Sequence, residues 1–69
     1  DPNALSIADC ETSCDQLLFF ECISAADQSA CRSKCSSSTS STRDAFSSCA
    51  KTAGSQCPKA TACYSTFKG

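Results

Sequence analysis

Eight cysteines carry most of the chemistry this 69-residue chain can offer, in the spacing C-x3-C-x7-C-x8-C-x3-C-x13-C-x7-C-x5-C from Cys10 to Cys63. Thiols at that density can ligate a metal, cycle electrons or crosslink. Zinc sites favour C-x2-4-C knuckles in loops, often with histidine. This chain has no histidine and its closest cysteine pairs fall in helical surroundings, so no metal is expected. Redox catalysis favours C-x-x-C with an acidified thiol, a motif the sequence lacks. Crosslinking remains. An even cysteine count in so short a chain marks an oxidising compartment, and 8 in 69 exceeds the roughly 8–10% typical of a disulfide scaffold. A secreted, extracellular protein with four disulfides is expected.

Other chemistry is poorly provided for. An activated serine has no histidine base, and Lys34, Lys51, Lys59 and Lys68 are read as lying outside any Ser-x-x-Lys site. Asp9 with Glu11 or Asp15 could be drawn as an acid/base pair, but on an acidic helix a solvated face is the simpler reading. Short crosslinked helices also leave little room for a deep pocket. The expectation is a protein that is not an enzyme and takes no cofactor.

The elements that hold these cysteines read as helices. Ten Ala, two Gly and no Val favour helix over sheet. Ser6-Ile7-Ala8-Asp9 fits a capping box, predicting a first helix from about residue 7 to about residue 25. At about 100° per residue, Ile7, Cys10, Cys14, Leu17, Leu18 and Cys22 gather on one stripe. Ser24-Ala25-Ala26-Asp27 reads as a short connection, with Asp27 or Ser29 capping a second helix that carries Cys31 and Cys35. Residues 36–42 contain only Ser and Thr and read as an exposed loop, with O-glycosylation as the functional alternative. Ser41-Thr42-Arg43-Asp44 repeats the capping pattern, and Phe46, Cys49, Ala50 and Ala53 follow at helical spacing before a Gly54 stop. Pro58 suits the first turn of a fourth helix with Ala62, Cys63 and Phe67 on one side.

Cysteines four apart on a helix form two parallel rungs to a neighbour more readily than a bond to each other. Antiparallel first and second helices give Cys10–Cys35 and Cys14–Cys31. A reversal at 54–56 brings Cys49 level with Cys63, leaving Cys22 for Cys57. That is the favoured choice among roughly a hundred pairings eight cysteines allow. Three Leu, two Ile and four Phe are too few to offset an ordering cost of about 1.5 kcal/mol per residue without covalent help. The fold class expected is all-α, one domain spanning 1–69, with three to four short helices.

Net charge is −1, which argues against nucleic acid, where a basic stripe is the rule. The distribution is lopsided: residues 1–31 carry −6 and residues 32–69 carry +5, so the halves attract within one molecule or between two. The longest apolar run is Leu17-Leu18-Phe19-Phe20, so neither a signal peptide nor a membrane span is read here, and Asp1 is expected to follow a removed pre- or pro-segment. Asn3-Ala4-Leu5 is no N-glycosylation site. Four successive apolar residues cannot share one helical face, which puts Phe19, Phe20 and Ile23 on a second band rimmed by Asp15 and Asp27. Either another helix covers that band or it contacts a partner. Glu21 fits the core stripe worst; a bend before it, or a basic partner such as Arg32 or Lys51, would accommodate it.

Asp1-Pro2, the Cys10-Glu11 step on a first helix, the acidic balance and the helical clasp resemble the disulfide-rich mating pheromones secreted by ciliates. That resemblance implies a helical bundle released from a precursor, signalling through cell-surface protein receptors, and self-association; the Ser/Thr run at 36–42 departs from it. The cysteine spacing is also similar to helical cysteine-rich modules of bacterial surface lipoproteins, which carry no general activity. The expected function is a secreted signalling ligand whose partner is a protein receptor, with Phe19, Phe20, Ile23, Asp15 and Asp27 as contact residues. A self-assembling surface module and a venom toxin or secreted effector are the alternatives. Membrane disruption suits the chain less, because such toxins are commonly basic and the apolar helix here is acidic.

Overall fold

A computed structural model describes residues 2–69, with side chains from residue 5 onward; Asp1, and with it the first half of the Asp1-Pro2 pair, lies outside. Four helices follow in order, α1 (Pro2–Phe19), α2 (Ala25–Ser37), α3 (Ser40–Ala53) and α4 (Cys57–Lys68), with no strand among the described residues. The fold is a small all-α bundle measuring 31 × 23 × 20 Å. Helix α1 is central, packing on both α2 and α3, while α4 lies mainly on α3.

The boundaries of α1 differ from the 7–25 read from sequence. The helix opens on Pro2, a residue that a first turn tolerates because its missing N–H has no intrahelical acceptor there. Ser6 is consequently no cap. It is a buried side chain whose hydroxyl donates to Asp44 Oδ1 at 3.0 Å and accepts from Arg43 Nε at 3.1 Å. At the other end, Glu21 N–H donates to Leu18 O and Cys22 N–H to Leu17 O, both at 2.8 Å, with Glu21 at φ 59°. This is a Schellman turn, and Glu21 holds the left-handed position usually given to glycine. Its misfit in the core stripe disappears because the helix stops before it and leaves it exposed. Arg32 pairs with Asp15 and Glu11 instead of Glu21.

Serine and threonine hydroxyls serve both ends of α2 and the start of α3, at places other than those read from sequence. Ser24, not Asp27 or Ser29, caps α2, accepting from Asp27 N–H at 3.1 Å. Asp27 instead adds negative charge to the helix's positive end. The expected loop at 36–42 shrinks to Ser38 and Thr39, the residues between α2 and α3. Ser37 and Ser38 hydroxyls donate back to Lys34 O at 3.2 and 2.7 Å. Thr39 caps α3 through Thr42 N–H at 3.2 Å, displacing the Ser41-to-Asp44 box. Arg43, buried, donates through Nη1 to Cys35 O at 3.2 Å and to Ser38 O. Its guanidinium therefore satisfies carbonyls at the negative end of α2, a favourable place for a cation that burial would otherwise penalise. Gly54 does end α3, at φ 58° with its N–H on Ala50 O.

Cys10, Cys14 and Leu17 are fully buried, whereas Ile7, Leu18 and Cys22 sit at the edge of the stripe. In α4 the inward face is Ala60, Cys63, Tyr64 and Phe67, and Ala62 is exposed. Phe46 and Phe67 stack with ring centroids 4.3 Å apart and planes 12° from parallel. The four bridges are Cys10–Cys35, Cys14–Cys31, Cys22–Cys57 and Cys49–Cys63, and no described cysteine is free. These are the pairs that two rungs and a reversal favour. No described helix is long and apolar enough to cross a membrane.

Candidate functional site

Where α1 ends, two aromatic rings stand out of the surface. Leu17 and Leu18 take the inward side of the last turn, so the next two positions of the apolar run face away from the core. Phe19 is 80% exposed and Phe20 38%, the rings meeting edge to face at 5.2 Å and 77°. The Schellman turn then reverses the chain and carries Ile23 into the core, where it is 9% exposed. Ile23 is therefore a packing residue and leaves the expected contact band. The cause is the helix end at Phe19: beyond it the 100° progression that placed Ile23 beside Phe19 no longer applies.

Thr12, Asp15, Gln16, Phe19, Phe20 and Gly54 surround a shallow hollow of about 540 Å³. Gln16 is fixed there by its Nε2 donating to Ala50 O at 3.1 Å, which also ties α1 to α3. Asp15 is held as tightly. Arg32 Nη1 donates to both its oxygens, at 2.8 and 2.7 Å, and Gln28 Nε2 donates at 2.7 Å. The Arg32 hydrogen bonds, outweighing the opposing desolvation and helped by Gln28 and by the Arg32 charge, hold the Asp15 carboxyl below its ordinary 3.8. The Arg32 guanidinium is raised correspondingly by Asp15, with Glu11 3.8 Å away on the same helix face. The rim is thus an ion pair rather than the free negative charge read from sequence. Asp27 does not line the hollow; its N–H serves the α2 cap and its carbonyl accepts from Tyr64 hydroxyl at 3.4 Å.

Of the five expected contact residues, Phe19, Phe20 and Asp15 come together and Ile23 and Asp27 do not. Thr12, Gln16 and Gly54 were not foreseen. Thr12 and Gln16 are one helical turn apart and lead on to Phe19 and Phe20 at i+7 and i+8, a helical-face signal the sequence did offer, whereas Gly54 reaches the hollow only through the α1–α3 packing.

A second depression, about 1010 Å³, runs along the α3–α4 seam, with Ala45, Phe46, Cys49, Ala62, Thr66 and Phe67 among its lining and the Cys49–Cys63 bridge in its wall. It is mostly methyl and ring surface. Ser48-x-x-Lys51 and Ser65-x-x-Lys68 do have the Ser-x-x-Lys spacing, correcting the reading of the lysines, but all four side chains are exposed, without the burial that would turn a lysine toward base chemistry. The sulfurs of Cys10, Cys14 and Cys35 lie within 4.8 Å of one another. Two adjacent disulfides produce that cluster, and bridged sulfurs offer no thiolate to a metal. Only the reduced chain could use them as ligands. No protein-family model, curated protein or solved structure matches this chain.

Proposed function

We propose that the protein is a secreted, non-enzymatic signalling ligand that binds a cell-surface protein receptor through the Phe19–Phe20 corner. The observation that carries this reading is two adjacent phenyl rings left exposed in a chain with few large apolar residues, at the end of a helix that two disulfides hold rigid. Exposed aromatics on a preordered surface bind with little ordering cost and are favoured interface anchors. The Arg32–Asp15 pair beside them supplies a polar rim that favours one approach over others. Multiple disulfides and the absence of a membrane-length helix among the described residues are compatible with an extracellular location.

The test is binding of labelled protein to intact cells of the source organism, comparing the native chain with Phe19→Ser/Phe20→Ser. Binding should be lost while mass and peptide mapping still show four bridges. Undiminished binding with all bridges formed would reject the corner as the contact surface, and loss of the bridges would show that the rings serve folding. A native chain that elutes as a salt-sensitive oligomer and leaves cells unlabelled would favour the self-assembling module instead.

A further inference from the structure

The four disulfides differ in how far a reagent can reach them. All four sulfur-bearing residues of the α1–α2 rungs are at most 1% exposed. Cys22 and Cys57 are both partly exposed, and Cys49 is exposed while its partner Cys63 is buried. Cys22–Cys57 is also the one bridge whose ends both sit at helix boundaries: Cys22 in the turn after α1, Cys57 as the first residue of α4. Both of its sulfurs lie against the carbonyl oxygen of Phe20, at 3.8 and 3.6 Å. It therefore clips the start of α4 to the turn that presents the aromatic corner.

We propose that Cys22–Cys57 is a thiol-exchange site through which a small thiol or dithiol reductant switches the corner off; the switching part rests on the proposed function of Phe19 and Phe20. An incoming thiolate attacks Cys22 Sγ. The S–S bond breaks and its electron pair leaves on Cys57 Sγ. A second thiol then attacks the mixed disulfide, releasing the Cys22 thiolate and the oxidised reductant, so two thiols supply the two electrons. Cys57 is the better leaving sulfur because it is the first residue of α4, where the positive end of the helix dipole favours a thiolate. Cys49 and Cys63 lie inside helices that stay side by side through the Phe46–Phe67 stack, which keeps their thiols level for reclosure.

Opening has a local consequence. Glu21, a non-glycine residue at φ 59°, is held left-handed next to the bridge, a conformation costly for any residue with a Cβ. With the clip gone that cost is relieved by unwinding the turn, so Phe20 and Ile23 lose their fixed positions.

The experiment treats the native protein with a limited amount of reduced glutathione, traps thiols with iodoacetamide over time and maps them by mass. Cys22 and Cys57 should be alkylated first, on the order of tenfold faster than Cys49 and Cys63, with glutathione captured on Cys22 and the α1–α2 rungs intact. Earlier opening of Cys49–Cys63, or all bridges opening together, would overturn the exchange site. The purified three-bridge species should keep its helical circular dichroism yet bind cells on the order of tenfold more weakly; equal binding would overturn the switch. Cys22→Ser/Cys57→Ser should behave like that species. The order of opening stands apart from cell binding, so it can fail while Phe19→Ser/Phe20→Ser still abolishes binding, and the reverse.

Discussion

The α1–α2 clasp and the α3–α4 hairpin solve one problem in two ways. Between α1 and α2 the interior is largely sulfur: Cys10–Cys35 and Cys14–Cys31 lie in parallel, Cα atoms 5.8 Å apart across each, with Cys14 and Cys35 sulfurs 3.7 Å apart between rungs. Between α3 and α4 the interior is largely ring: Phe46 stacks on Phe67, Tyr64 packs nearby, and the single bridge leaves Cys49 exposed. Crosslinks act chiefly by restricting the unfolded chain, whereas aromatic burial acts by removing apolar surface from water. Because the clasp needs little apolar bulk, the chain can leave Phe19 and Phe20 outside.

The largest way to break this contrast is to delete both rungs, Cys10→Ala/Cys35→Ala with Cys14→Ala/Cys31→Ala. At about 2–4 kcal/mol each the loss is comparable to a small domain's whole stability, and circular dichroism should show an unfolded chain. Phe46→Ala is the matching cut in the hairpin. It should cost about 3–4 kcal/mol in denaturant unfolding while both rungs still form; a cost under about 1 kcal/mol would mean the stack adds little and the contrast fails. Ser47→Ala sharpens the comparison in the other direction. The Ser47 hydroxyl is buried in α3 with no partner among the described residues, and its removal should raise stability by about 1 kcal/mol. Glu21→Gly relieves the left-handed turn and should stabilise by roughly 0.5 kcal/mol, the strain gained back being partly offset by a freer unfolded chain.

The smallest effect is a titration. Burial, then the nearby Asp27, pushes the Tyr64 phenol above its ordinary 10.0. The neutral form is favoured in the fold, so this contribution is present below the unfolded value and is lost as pH rises through the raised folded one. Tyr64 is the single tyrosine and the chain has no tryptophan, so ultraviolet absorbance reads it directly: a midpoint above 10.0 in native protein that falls back on full reduction.

The all-α architecture and the pairing pattern were legible because Cys10/Cys14 and Cys31/Cys35 each repeat after one helical turn, a spacing that dictates a clasp. Helix ends were less so. In a serine-rich chain a hydroxyl stands near every candidate cap, and packing decides which one serves: Ser6 was drawn inward by Arg43 and Asp44, leaving Pro2 to open the helix. Glu21 in a left-handed position has no compositional signal, and missing it extended α1 and misplaced Ile23. The charge asymmetry did point to attraction between halves, and Arg32 with Asp15 and Glu11 is one such contact. Which acid Arg32 would choose depends on the α1–α2 register, which only the bridges fix.

Amide hydrogen exchange of the native protein, before and after complete reduction and alkylation, tests the central claim most directly. If crosslinks stand in for an apolar interior, protection in α1 and α2 collapses on reduction, with at most residual protection around Phe46 and Phe67. Protection that survives in α1 and α2 without any bridge would contradict it.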